Sequence, residues 1–139
     1  MTDDCRLAGI LDFNGKMGFR FGKKQLQPYL AIYMDDPGKL HWLRMLEPSF
    51  SQPAFVSRNT YMSQIISISG VQNLLNRTLD KLEILHPVAE KVMRFCDLRL
   101  KHPNEKYTLG ELQLVQEIVR MTSRPAAVER RLRVLKEWK

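Results

Sequence analysis

The spacing of apolar residues along the chain changes period several times, and each change marks the border of a predicted element. Helical spacing runs from residue 3 to about Phe13 and stops at Asn14-Gly15, because glycine readily adopts the conformation that ends a helix. Apolar and polar residues then alternate over 16–21 and again over 27–34, which predicts two half-buried strands joined as a hairpin. A short packing helix is predicted within 39–50.

The second half of the pattern predicts another hairpin and then only helices. The hairpin lies within about 54–68, with Asn59 supplying the turn chemistry. Amphipathic helices are predicted over 71–85, 88–100, 111–121 and 126–138, and Pro87 either starts the second of these or kinks a continuous helix. Thr108 and Glu111 have capping-box spacing. The order of elements predicts an α+β domain whose antiparallel sheet buries one face.

The other face of this sheet is expected to meet solvent or a ligand. Residues 16–24 contain four basic residues and no acidic one, which is a local concentration of positive charge. A β-ribbon with long polar side chains fits the major groove of DNA, whereas a solvated face without a ligand is equally compatible with the pattern. The candidate DNA-binding residues are Lys16, Arg20, Gln27, Tyr29, Tyr33, Arg58 and either Ser57 or Gln64, with Lys23 and Lys24 at the tip of the first hairpin.

Composition narrows the class of partner. A net charge of +7 and a pI near 9.6 favour an anionic partner, and nucleic acid ranks ahead of membrane because the chain has no long apolar run. Cys5 and Cys96 lie far apart and outside any metal-ligand spacing, so neither a disulfide framework nor a zinc site is indicated. The first residues lack the apolar segment of a secretory signal. We expect a protein that is not secreted, cytoplasmic if bacterial or organellar if organelle-encoded.

Residues 7–15, LAGILDFNG, resemble the signature of the LAGLIDADG homing endonucleases. The match is at Leu7, Ala8, Gly9, Asp12 and Gly15. The resemblance covers about residues 2–100 and implies that family's αββαββα core with a saddle-shaped antiparallel sheet. It divides the chain into a LAGLIDADG core domain over 1–104 and a C-terminal helical extension over 105–139 that packs on the same domain.

The single motif implies a homodimer, as in the single-motif members of that family. Small residues at 8 and 9 allow two copies of the first helix to approach closely at a two-fold axis. The residues expected at this dimer interface are Leu7, Ala8, Gly9 and Leu11. The resemblance implies a long, roughly palindromic double-stranded DNA target, since dimer symmetry maps onto target symmetry.

The expected active site departs from the family pattern at the eighth motif position, where active members carry an acid and this chain has Asn14. An amide oxygen ligates a hard cation without contributing negative charge. Asp12 points about 200° away around the helix, which makes a polar contact near the helix end its favoured role. Asp35 or Asp36, just past the second strand, either supplies charge or caps the next helix. The candidate catalytic set is therefore Asn14, Asp12 and Asp36, with Asp35 as the alternative to Asp36.

Two further residues indicate an altered site. Phe13 stands where the motif usually has a very small residue, and Leu85 stands where relatives often have a lysine.

Three functions follow from the resemblance: sequence-specific DNA binding with impaired or lost cleavage, which the sequence favours; an active intron-encoded endonuclease; or an RNA-binding splicing maturase. No cofactor is expected for the first, and Mg²⁺ for the second.

The last predicted helix is strongly basic. Arg130, Arg131, Arg133 and Lys136 lie within it, and most of the excess positive charge of the chain falls in its last third. This helix is either an ordinary wet surface helix or a clamp on DNA phosphates that adds affinity without sequence information.

Overall fold

The computed structural model describes residues 3–22, 25–103 and 105–136, and within these ranges the predicted order of elements is confirmed. A short 3₁₀ turn, Leu79–Lys81, follows the third helix. The elements are α1 (Asp3–Asn14), β1 (Gly15–Phe21), β2 (Leu26–Met34), α2 (Pro37–Leu46), β3 (Ala54–Ser57), β4 (Thr60–Ile65), α3 (Ile68–Thr78), α4 (His86–Lys101), α5 (Leu109–Thr122) and α6 (Pro125–Lys136).

The four strands form one antiparallel sheet in the order β1-β2-β4-β3. Alternate residues on one face, including Met17, Phe19, Leu30, Ile32 and Ile65, are almost fully buried. This face carries the apolar positions that the period-two pattern predicts, since successive side chains of a strand point to opposite faces. The sheet therefore has one face in the core and one face that the helices leave uncovered over much of its area.

The helices bury the apolar face of the sheet in a single hydrophobic core. Side chains from every helix join it, and Phe19 of β1 meets Phe95 of α4 edge to face at 4.8 Å between ring centroids. Leu112 and Val115 of α5 and Leu135 of α6 belong to the same core. Helices α5 and α6 therefore pack on the same body as the first hundred residues.

Several element borders differ from the predicted ones because local caps override periodicity. Ser67 accepts a hydrogen bond from the Gly70 amide and starts α3 at Ile68, so the second hairpin ends at Ile65. Pro87 lies in the first turn of α4, which settles the predicted alternatives in favour of a separate helix. Asn59 has a φ of 59° in the β3–β4 turn, a conformation that asparagine tolerates well.

A buried ion pair connects α4 to α5. Arg99 and Glu111 are 3.2 Å apart at their closest atoms, and both side chains are more than nine-tenths buried. Glu111 also completes the predicted capping box with Thr108, and Arg99 stacks on the ring of Tyr107 at 4.2 Å. The Tyr107 hydroxyl in turn accepts the backbone N–H of Leu26, at the start of β2. The C-terminal helices are thus bonded to the first hairpin through polar contacts as well as through the core.

Neither Cys5 nor Cys96 forms a disulfide within the part of the chain that the structure describes. Burial raises the pKa of Cys96 to about 12, which leaves that thiol protonated and inert at neutral pH. None of the helices in the described ranges has the combination of length and apolarity needed to cross a membrane.

Candidate nucleic-acid interface

The helix α1 passes into β1 without a loop, and Gly15 is the residue that permits this junction. A Cβ atom at this position would lie 2.5 Å from the backbone oxygen of Leu11, closer than any side chain tolerates. Gly15 does not adopt the left-handed conformation on which the sequence prediction was based, because no described glycine has a positive φ, and close approach of the backbone is what requires glycine here. As a result Asn14, the last residue of α1, lies at the end of the sheet where β1 begins.

The side chain of Asn14 is held by the neighbouring strand. Its Nδ2 donates a hydrogen bond of 3.2 Å to the backbone oxygen of Tyr33 near the end of β2. A carboxylate cannot donate this bond, because both of its oxygens are acceptors when it is ionised. The amide at position 14 thus has a local partner that an aspartate at the same position would lack.

Asn14 lines an open depression of about 480 Å³ at this end of the sheet. Lys39 Nζ and Asp35 Oδ1, which also line it, are 2.8 Å apart. The hydrogen bond from Lys39, reinforced by its charge, lowers the pKa of Asp35, and the same hydrogen bond raises the pKa of Lys39. The remaining lining residues are Tyr33, Met34, Asn59 and Thr60.

The two other candidate acids have structural partners away from this depression. Asp36 accepts the Gly38 amide at 2.8 Å and caps α2. The carboxylate of Asp12 accepts three successive backbone N–H groups, from Glu83, Ile84 and Leu85, at 2.9 to 3.1 Å. The structure thus assigns Asp12 the polar contact favoured from the sequence, places Asp36 in the capping role, and leaves Asp35 as the acid beside Asn14.

The uncovered face of the sheet carries two cations that lie over aromatic rings. Lys16 lies 5.3 Å from the ring centroid of Tyr33, and Arg20 lies 5.6 Å from that of Tyr29. Arg20 also donates a hydrogen bond to Gln64 of β4. These contacts hold the long basic side chains against the sheet and reduce the rotamer freedom that they would lose on binding.

Gly18 forms the floor under one of these pairs. A Cβ at Gly18 would meet the Tyr29 ring at 3.3 Å and Thr122 Oγ1 of α5 at 3.4 Å, so the ring lies across the glycine. Burial raises the pKa of Tyr29, the charge of Tyr33 adds to this, and Arg131 and Arg20 oppose it. Arg131 lies over the ring of Phe21 at 6.0 Å, which brings α6 beside the β1 edge.

The remaining candidate DNA-binding residues differ in their surroundings. Gln27 is exposed opposite Arg20, and the strand register puts both Ser57 and Gln64 on the uncovered face. Arg58 is exposed in the β3–β4 turn, next to the depression that Asn59 lines. Lys23 and Lys24 lie outside the described residues.

Ala31 does not follow the predicted strand pattern. The alternation predicts that it is exposed between Tyr29 and Tyr33, yet it is fully buried. Its strand neighbours are Lys16 and Gln64, whose long side chains flank the short methyl group on both sides. Exposure of a small residue on a sheet face depends on its cross-strand neighbours, which periodicity does not specify.

The candidate dimer residues on α1 need a similar correction. Leu7, Ala8 and Leu11 are each 1% exposed, because they belong to the hydrophobic core of the chain itself. Of the four candidates only Gly9 faces outward, with open space where a side chain would be. Phe13, one helical turn beyond Gly9, is 83% exposed. The surface of α1 that is available to a second helix therefore centres on Gly9 and Phe13.

A scan of protein-family models and a search of curated proteins find no match to this sequence. Solved structures do match it. The homing endonuclease I-CvuI, in complex with the I-CreI target in 2 mM Mg, with the DNA not cleaved, has a TM-score of 0.76 and 14% identity over 96% of this chain and 94% of that one. The archaeal intron-encoded homing endonuclease I-Vdi141I, complexed with DNA, has a TM-score of 0.71 and 13% identity over 97% of this chain and 95% of that one.

The match to a longer chain covers all of this chain but only part of the longer one. The LAGLIDADG meganuclease I-CpaMI, bound to uncleaved DNA, has a TM-score of 0.73 and 10% identity over 100% of this chain but 50% of its own. This chain has the LAGLIDADG homing-endonuclease fold. It corresponds to a whole chain of I-CvuI and to half a chain of I-CpaMI. Within the LAGLIDADG fold, the motif residues 7–15 occupy α1 and its junction with β1.

We predict that Asp12→Ala lowers the free energy of unfolding by about 2 to 3 kcal/mol, because it leaves the amides of residues 83–85 without their charged acceptor. Urea unfolding followed by circular dichroism measures the change. Asp36→Ala is the matched control, since it removes a cap with one amide bond and costs about 1 kcal/mol. Equal losses for the two variants would contradict the triple-amide role of Asp12.

Proposed function

We propose that this protein is a homodimeric, sequence-specific binder of double-stranded DNA whose cleavage activity is impaired or lost. The observation that carries the proposal is the amide at the base of α1. Asn14 is bonded to Tyr33 where the sequence resemblance leads one to expect a carboxylate, while the uncovered face keeps its basic and aromatic residues.

The uncovered face supports DNA as the ligand. Lys16 and Arg20 provide positive charge, and Gln27 and Gln64 provide both hydrogen-bond donors and acceptors. Arg20 is already oriented by Tyr29 and Gln64, and an oriented guanidinium is the side chain that reads guanine most often in the major groove. The solved structures that share the fold include several complexes with DNA.

A homodimer is supported by the similarity to half of I-CpaMI and by the surface of α1. The fold of one copy matches half of the I-CpaMI chain, so two copies would supply both halves of such a protein. Gly9 offers a flat approach for a second helix, and Phe13 offers an exposed ring of the kind that is usually covered in an assembly. Two sheets side by side would read a symmetric target twice as long as one sheet can cover.

The donor set at the depression fits a divalent metal poorly. Hard cations such as Mg²⁺ take carboxylate and other oxygen ligands, and charge on those ligands strengthens binding. Here Asn14 has no charge and the single negative charge of Asp35 is neutralised by Lys39. The described residues contain no group of three or more histidine, cysteine, aspartate or glutamate side chains arranged to hold a metal ion. We therefore derive no cleavage step through a metal for this chain.

Selection of bound duplexes from a random pool, with and without Mg²⁺, tests the proposed function. We expect a half-palindromic consensus, affinity that falls steeply with salt, and intact DNA in both arms. Cut products in the Mg²⁺ arm would contradict the loss of cleavage and favour the alternative of an active endonuclease. A preference for structured RNA over duplex DNA at matched salt would favour the splicing alternative, and no enrichment at all would refute nucleic-acid binding.

We predict that Arg20→Ala relaxes the consensus at one symmetric pair of base positions and costs about 1 to 3 kcal/mol there. The measurement compares the affinities of duplexes with single-base changes at each position. Arg94→Ala, an exposed arginine on α4, is the control and should leave the profile unchanged. A uniform loss over all sequences would make Arg20 a phosphate contact instead.

We also predict that Gly9→Leu converts a dimer into a monomer without unfolding the subunit. The added side chain meets open space within its own subunit but would collide with a second α1 packed against Gly9. Sedimentation velocity measures the oligomeric state, and affinity for the full symmetric duplex should fall by about 100-fold because the two half-sites are no longer linked. Gln113→Leu, at an exposed position on α5, is the control. A dimer that survives Gly9→Leu would place the interface elsewhere.

A further inference from the structure

Lys39 introduces a positive charge at the depression beside Asn14. It lies in the first turn of α2, four residues after Asp35, and its Nζ is 2.8 Å from Asp35 Oδ1. The Lys39 and Asp35 side chains are 58% and 70% exposed, so the pair faces the open side of the depression. Tyr33 lines this depression and also contacts Lys16, which joins the depression to the uncovered sheet face.

The formal charges of these side chains leave little attraction for a divalent cation. Among the side chains that line the depression, Asp35 contributes one negative charge, Lys39 cancels it, and Asn14 contributes none. The carboxylate of Asp36 also acts on Lys39 but is engaged as the cap of α2. A metal ion would have to displace the ammonium from Asp35 and would meet it as a like charge within a few ångströms. The lowered pKa of Asp35 agrees with a carboxylate whose charge is already matched by its neighbour.

The ammonium itself retains binding capacity. A lysine side chain has three N–H donors and no acceptor, and the bond to Asp35 uses one of them. The other two are available on the open side, where a phosphate oxygen is a suitable acceptor. Asp35 would then hold the flexible lysine stem in place, which makes Asp35 a positioning residue.

We propose that Lys39 takes the place of a divalent cation at this depression and binds a phosphate of the DNA backbone without metal. This proposal rests on the proposed DNA-binding function. It assigns to the depression a binding role, with a phosphodiester as its ligand, in place of a catalytic one. The contact carries no base information, so it adds affinity uniformly over sequences.

The test measures the affinity of the full-length protein for its selected duplex over a range of salt concentrations, once in EDTA and once in Mg²⁺. For the wild-type protein we expect no gain in affinity from Mg²⁺, which competes for the DNA phosphates as other counterions do. Lys39→Gln should weaken binding to every duplex alike and reduce the slope of log affinity against log salt by about 1 for each Lys39 that contacts a phosphate.

The Asp35→Asn variant distinguishes phosphate binding by Lys39 from a purely structural role of the ion pair. Asparagine keeps an amide oxygen that accepts the hydrogen bond from Lys39, so the lysine stays positioned, while the negative charge near the phosphate is removed and binding should become several-fold tighter. If the Asp35–Lys39 pair acted only through net charge, Lys91→Gln and Glu117→Gln, in an ion pair of the same length, would change affinity as much as Lys39→Gln and Asp35→Asn. Changes confined to the Asp35–Lys39 pair support the proposal, and equal changes at the two pairs overturn it.

Lys91→Gln is the matched control, because Lys91 forms an ion pair of the same length with Glu117 on the helical side of the protein. It should leave affinity and salt slope unchanged, and thermal unfolding should confirm that all variants fold. Wild-type binding that requires Mg²⁺, or an unchanged slope in Lys39→Gln, would overturn the role of Lys39 while leaving the DNA-binding function intact. Failure of the wild-type protein to bind any duplex would instead refute the proposed function and this inference with it.

Discussion

The direct passage from α1 into β1 is the constraint on which the rest of the molecule depends. Because Gly15 lets the backbone pass against Leu11, the helix and the strand share one rigid corner without a loop. This corner fixes the rotation of α1 on the sheet, which points Leu7 and Leu11 into the core and Gly9 outward. It also fixes the last residue of the helix at the end of the sheet, where β2 finishes and the second hairpin turns.

At that corner, the side chains that could bind a metal ion are engaged in other contacts. The amide of Asn14 is tied to a backbone oxygen, Asp36 is used as a helix cap, and the charge of Asp35 is matched by a lysine. Each of these groups is satisfied by a partner from its own chain. An active metal site needs the opposite arrangement, in which negative groups converge and wait for a cation. This local chemistry is the basis of our proposal that the protein binds nucleic acid without cutting it.

Local features of the sequence predicted most of the fold. The period-two strands, the capping box of Thr108 and Glu111, and the end of α1 at Asn14 all depend on residues within a few positions of one another. Features that depend on distant partners were not available from the pattern. The burial of Ala31 is set by two neighbouring strands, and the pairing of Arg99 with Glu111 depends on how α4 and α5 meet.

The candidate site shows the same contrast between local features, which the sequence predicts, and contacts with distant residues, which it does not. The sequence identified Asn14 and the cations of the first hairpin, but it left Asp35 and Asp36 as alternatives, because two adjacent acids point in directions that only the following turn decides. Lys39 was overlooked, although its spacing of four residues from Asp35 is the usual spacing of a helical ion pair. The outward face of α1 could also have been found, since Gly9 and Phe13 are separated by one helical turn.

The bond between Leu26 and Tyr107 has a consequence for how the protein can be shortened or recombined. The amide that opens the second strand has its acceptor more than eighty residues away, in the link that precedes α5. A fragment ending at the close of α4 would keep all four strands and yet lose the anchor of the hairpin that carries Arg20. The last two helices are thus a brace for the sheet, and grafting this sheet onto another scaffold would require transplanting them as well.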